Sequence, residues 1–188
     1  MMYRLFPVAA LLASLAACTT GNPPPITEAE RALLADPPRE VLDEVEARLP
    51  ETLAMVERMD AVALAQGRPL TGAEIETARA LGVAHPERVR VHTEARRSAE
   101  IFAALMGQGL IGGLTTGYGI TIKRGMEADW LVAHELVHVR QFEELGREGM
   151  VRRYLTEILV LPDNLIPLER EAIEASEAVV GPNGPYAY

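Results

Sequence analysis

The chain has 188 residues, 27 acidic against 18 basic side chains, a formal charge of −9 and 48% hydrophobic content, which suits one globular domain with an appendage and excludes wholesale disorder. The acidity excludes a nucleic-acid partner, whose phosphates call for a basic surface, and 5% aromatic content leaves few platforms for stacking bases or sugars. A single cysteine excludes an internal disulfide and a thiolate-rich zinc site.

Residues 1–17 carry one basic residue, Arg4, and an apolar run from Leu5 to Ala17. The run is shorter than the about 20 residues that span a bilayer and reads as a secretory signal peptide. It ends Leu15-Ala16-Ala17-Cys18, which resembles the lipobox of bacterial lipoproteins. That resemblance implies cleavage before Cys18 and its lipidation, an anchor of several acyl chains. Thr19 follows rather than an aspartate; by resemblance to the sorting rule of enteric bacteria this implies the outer membrane, facing the periplasm. Residues 18–26, with Pro23 to Pro25 in succession, read as an extended tether.

Residues 27–85 read as a helical block. Thr27 with Glu30 forms a capping box that opens a helix to about Asp36. A second helix is expected from Pro38 towards Pro50, and a third from Glu51 to Gln66 with Met55, Val56, Met59, Val62 and Ala63 along one face. Thr71 with Glu74 opens a fourth, to about Leu81. Nothing catalytic is legible in this block, which reads as scaffold.

The pattern changes at Pro86, and residues 86–180 read as the core of the domain. Arg88 to His92 alternates as a half-buried strand does. Arg97 to Met106 reads as a helix, Gly109 to Gly119 as a glycine-rich turn or hairpin, and Tyr118 to Lys123 as a second strand. Helices follow over Ala128 to Leu145, Arg147 to Leu161 and Leu168 to Val180, the last with Pro167 in its first turn. Residues 181–188 form a Gly/Pro-rich tail expected to be flexible. The expected fold class is therefore α+β and mostly helical, with a small hairpin or sheet beside the first of these three helices.

That helix carries the chemistry. Its segment His134-Glu135-Leu-Val-His138 places two imidazoles at i and i+4, on one face a turn apart, where they can hold one Zn²⁺. Glu135 is rotated by about 100° from His134, so it can reach a water at the metal without being a ligand, the position of a general base in a zinc hydrolase. Leu131, Val132, Ala133, Leu136 and Val137 surround the motif, so it reads as buried, and buried imidazoles need partners. A zinc site open to water needs a third protein ligand. No histidine follows His138 and cysteine is excluded, which leaves a downstream carboxylate. Glu169 and Glu171 flank opposite edges of the apolar face formed by Leu168, Ala172, Ala175 and Val179, so periodicity does not choose between them; Glu157 is a more remote third candidate.

Arg88 to His92, then Gly117-Tyr-Gly-Ile-Thr-Ile122, then Leu131-Val-Ala-His-Glu-Leu-Val-His-Val-Arg-Gln141 resembles a bacterial metallopeptidase domain found in toxin-associated and injection-system core proteins and similar to gluzincins. The likeness covers residues 88–145, with Glu169 to Ala172 as a looser match. It implies a zincin-like core with zinc on His134 and His138. In several gluzincin families the ligand glutamate is followed three residues later by alanine, a pattern that Glu169 with Ala172 matches and that implies Glu169 over Glu171. The resemblance further implies that the strand Tyr118, Gly119, Ile120, Thr121, Ile122 lines the cleft as an edge, where an extended peptide can pair with it. Ile173 stands where gluzincins often carry an acid or amide, so a partner for a ligand histidine must come from elsewhere.

Several side chains are weighed by type alone. Tyr154 and His92 are candidates for an oxyanion stabiliser. Gln141 lies one turn beyond His138, within reach of the site. Trp130 reads as core, His85 as surface, and Arg147, Arg152 and Arg153 as a solvated face that could also meet lipid headgroups. The expected function is a lipid-anchored zinc metallopeptidase acting on peptides or proteins of the envelope. The alternatives are a catalytically silent zinc-binding assembly or interaction protein, and a zinc hydrolase of another amide such as one in the cell wall. The presence of Glu135 favours catalysis.

Overall fold

The computed structural model describes residues 25–94, 112–161 and 166–181. Cys18, the expected helix at 97–106 and the tail beyond Gly181 lie outside them.

Two capping boxes form as expected. Thr27 opens α1 (Glu28–Ala35) and Thr71 opens α3 (Gly72–Ala80), each with its Thr hydroxyl and N3 glutamate bonded reciprocally to the backbone. Between them runs a single helix, α2 (Arg39–Gln66), not the two helices expected on either side of Pro50. A proline inside a helix removes one hydrogen bond and crowds the preceding turn, at a cost of about 3 kcal/mol. The buried stripe Val45, Leu49, Thr52, Met55, Val56 and Ala63 continues through that position in phase. Burial of roughly 1.5–3 kcal/mol per large apolar side chain on both sides of Pro50 outweighs the break.

A two-residue strand, β1 (Arg68–Pro69), follows α2 and was not foreseen; it gives the expected helical block a strand of its own. The strand expected from Arg88 begins later, as β2 (Arg90–Glu94), because Pro86–Arg88 forms a 3₁₀ turn. Then come β3 (Gly113–Thr115) and β4 (Gly119–Lys123), an antiparallel hairpin. The sheet order is β1-β2-β4-β3, with β2 and β4 parallel. The molecule is mostly helical with this small mixed sheet, as an α+β reading requires.

The order corrects one expectation. β4 is interior, paired on both sides, and the edge beside it is β3. Tyr118 stands at the turn before β4, so neither it nor Gly119 to Ile122 offers a free edge.

The sheet separates two apolar layers. Side chains alternate across it. Val91, Ile120 and Ile122 enter one core with Leu131, Leu136 and Val137 of α4 (Asp129–Val160). On the other face a Cβ at Gly119 would meet Ala63 and Asp60 of α2 at 2.7 and 2.8 Å, so only glycine allows this approach. α4 itself breaks at Gly146 (φ 69°, ψ 166°) into arms of residues 129–145 and 147–160, the two helices expected there. Glycine is the residue that adopts this backbone conformation without strain. The second arm packs Met150, Val151, Leu155 and Ile158 against α2 and against Leu168 of α5 (Pro167–Val180). Among the described residues no helix is long and apolar enough to cross a membrane.

Candidate metal centre

His134 and His138 lie on the first arm of α4, buried at 3% and 6% exposure. Their spacing brings the two Nε2 atoms to 3.1 Å, with the rings edge-on at 80°. The first turn of α5 carries Glu169 to the same point. Its Oε2 is 3.2 Å from His134 Nε2 and 3.4 Å from His138 Nε2. This group could hold a metal ion.

The donor set fits one. Donors arranged tetrahedrally around a zinc-sized ion lie about 3.3 Å apart, and the three separations bracket that value. The chemistry agrees. Gln141 Oε1 lies 2.7 Å from His138 Nδ1 and accepts its proton, which leaves the Nε2 lone pair aimed at Glu169 and His134. Two such lone pairs and a carboxylate cannot share this space without a cation or a proton between them. Burial alone would lower the basicity of His138, but the charge of Glu169 and its hydrogen bond outweigh burial and raise the imidazole to about 9. Glu169 answers in kind. Burial would raise its pKa, yet the charge on His138 and bonds to both imidazoles hold it far below the usual carboxylate range.

Glu171 is placed elsewhere. Its carboxylate pairs with Arg140 and accepts from Gln141 Nε2 at 3.1 Å, so the position that periodicity left open falls to Glu169. Glu157 is not part of the cluster either. It accepts from the backbone N–H of Leu168 at 2.9 Å and from Arg153 Nε at 2.8 Å. Gln141, which the sequence placed within reach of the site, touches His138, Glu171 and the Leu168 carbonyl at once.

Glu135 stands beside the cluster and outside it. Its side chain turns under the edge strand β3, where Thr115 Oγ1 donates to Oε2 at 2.8 Å. A Cβ on Gly113 would lie 2.5 Å from Oε1. Burial raises the pKa of Glu135, opposed by the nearby imidazoles and by the Thr115 hydrogen bond. Tyr154, on the second arm, sits within the field of the same group. Burial, and then the charges of Glu169, Glu135 and Glu157, push its phenol above the ordinary range, so it stays protonated.

His92 does not join them. In register it pairs with Thr121, on the sheet face away from Val91 and Ile120, whereas Thr115 pairs with Ile120 on the face that meets Glu135. The arginines expected on a solvated face are engaged: Arg147 with Asp60 at 2.7 Å, Arg152 with Glu46 and Glu148, and Arg153 with Glu157. Thr115, Gly113 and the buried Asp60 were missed by sequence reasoning. For the first two, the signal available was their common face on a strand with alternating side chains. For Asp60 it was an acid in line with the apolar stripe of α2. No family model, curated protein or solved structure matches the chain.

Proposed function

We propose that this chain is a zinc metallopeptidase with a zincin-like core, anchored in the bacterial envelope through Cys18 and hydrolysing peptide bonds of envelope peptides or proteins. One observation carries the reading: a converging His134–His138–Glu169 donor set with a further carboxylate, the buried Glu135, next to it and outside it. Zinc bound there would supply Lewis acidity to a substrate carbonyl and lower the pKa of a water.

The chain's own residues supply the rest. Glu135, made more basic by burial, takes the proton of the attacking water and passes it to the leaving amine. Thr115 fixes the carboxylate in one orientation. Tyr154, protonated among three carboxylates, is the candidate oxyanion donor, and the sheet face of His92 takes it out of that role. Gln141 holds His138 in the tautomer that presents Nε2. The likeness of residues 131–141 to gluzincin-like metallopeptidase domains supports the same chemistry. The lipobox-like Leu15 to Cys18 supports the anchor, with the outer membrane as its place.

The alternative is a catalytically silent metal-binding assembly or interaction protein of the envelope. The depth of the site favours it: Glu135 is 3% exposed and already engaged by Thr115.

The deciding experiment compares the envelope proteomes of cells carrying wild type or Glu135→Gln. Peptidase activity predicts substrates that accumulate uncut in the variant while metal binding is unchanged. Identical proteomes and full zinc occupancy in both would establish the silent alternative.

A further inference from the structure

The two histidines are fixed relative to one another by a single helical turn, but Glu169 comes from a separate helix. The register of α5 against α4 therefore decides whether the third donor arrives. Apolar packing of Leu155, Ile158, Leu161, Ile166 and Leu168 joins these elements, yet such contact is non-directional and tolerates sliding. Directional bonds from α4 reach Glu171, through Arg140 and Gln141, and grip the backbone at Leu168, the residue that precedes Glu169. Its N–H donates to Glu157 Oε2 at 2.9 Å, and its carbonyl accepts from Gln141 Nε2 at 3.1 Å. One grip comes from each arm of α4.

The Glu157 grip is unusual in its source. Helices satisfy their first N–H groups with a Ser, Thr, Asp or Asn of their own at the N-cap. The N-cap of α5 is Ile166, with no side-chain bond, and Pro167 follows. The missing cap is provided by a buried glutamate from another helix, neutralised by Arg153 at 2.8 Å. A local cap would satisfy the same N–H without burying a charge. A cap from α4 does something more: it ties the end of α5 to the helix that carries both histidines.

We propose that Glu157 is a positioning residue for the metal centre, setting Glu169 against His134 and His138 through the Leu168 N–H without touching the ion. The inference rests on the metal-site reading above.

The test is zinc affinity of the full chain in detergent, measured by competition with a chromophoric chelator after the metal is stripped, with thermal unfolding of the metal-free protein alongside. Glu157→Met should weaken zinc binding about 10- to 100-fold, the usual effect of removing an outer partner of a ligand. Glu157→Asp, one methylene too short to reach Leu168, should weaken it similarly while keeping the charge. Glu157→Gln, which retains an acceptor, should keep most of the affinity. In a Glu169→Ala background, Glu157→Met should cost nothing further, because its effect runs through the absent ligand.

Equal losses with and without Glu169 would show a general structural role and overturn the proposal. So would wild-type affinity in Glu157→Asp and Glu157→Met. Failure of the wild type to bind zinc would instead overturn the metal-site reading, a separate result.

Discussion

Thr115 Oγ1 lies 2.8 Å from Glu135 Oε2 and 3.0 Å from the Glu135 backbone carbonyl, so one hydroxyl of the edge strand is aimed at both acceptors of the residue beside the metal centre. The carboxylate is buried, and a buried acceptor that loses its donor costs about 1–3 kcal/mol. Thr115→Val keeps the shape and removes the hydroxyl. Chemical denaturation should show a loss of that size, with zinc stoichiometry unchanged, and peptide turnover should fall about tenfold, as expected for a misoriented general base. Turnover at the wild-type level would show that Thr115 does not orient Glu135.

Gly113 tests the same carboxylate from its other side. A Cβ there would stand 2.5 Å from Glu135 Oε1, closer than atoms tolerate. Gly113→Ala should therefore displace Glu135 and abolish turnover while His134, His138 and Glu169 still bind metal. Gly72→Ala is the control, since nothing lies within 4 Å of the added atom. Its stability should stay at or slightly above wild type, because alanine is the better helix former. Full activity in Gly113→Ala would remove Glu135, as placed here, from the mechanism.

Metal binding to a folded three-residue site should stabilise the fold. An ion that binds only the native state adds about 2.7 kcal/mol at one hundred times its dissociation constant. Added zinc should raise the unfolding temperature of the chelator-treated chain, and elemental analysis should give about one ion per chain. Both effects should vanish in His138→Ala. A zinc-dependent shift that survives His138→Ala would locate the ion somewhere else.

The sequence made the core of the site legible because the i, i+4 spacing of His134 and His138 needs only one helix to be meaningful. Glu169 was harder. It belongs to another helix, and its choice over Glu171 depends on how α5 docks, with Glu157 and Gln141 holding Leu168 and Arg140 and Gln141 holding Glu171. Elements read from local punctuation fared unevenly. The capping boxes at Thr27 and Thr71 and the break at Gly146 are local facts and form as read. Pro50 is also local, but packing on both sides overrides it. The edge assigned to Tyr118–Ile122 and the role considered for His92 both turned on strand order and sheet face, which are properties of the whole sheet.

Asp60 shows what the helical block contributes. Its carboxylate accepts from Gly119 N–H at 2.8 Å and from Arg147 at 2.7 Å, tying α2 to the hairpin and to the second arm of α4. Burial raises its pKa above the ordinary 3.8, and the Gly119 hydrogen bond and Arg147 only partly offset this. An acid whose pKa is raised by folding is bound more tightly to its proton in the native state. Its contribution is fully present below the unfolded value and declines as pH rises through the folded value. Asp60→Asn keeps an acceptor for Gly119 and removes the titration. The stability of wild type relative to Asp60→Asn should therefore fall as pH rises from 3.8 through the raised value, then level off towards neutrality. Arg147→Met should widen that fall, since Arg147 is the cation beside Asp60; its 38% exposure keeps the increment small. Urea denaturation of the three proteins across this range measures both effects. A wild-type advantage that instead grows with pH would mean that Arg147 and Gly119 outweigh burial, leaving the native carboxylate more acidic than the unfolded one.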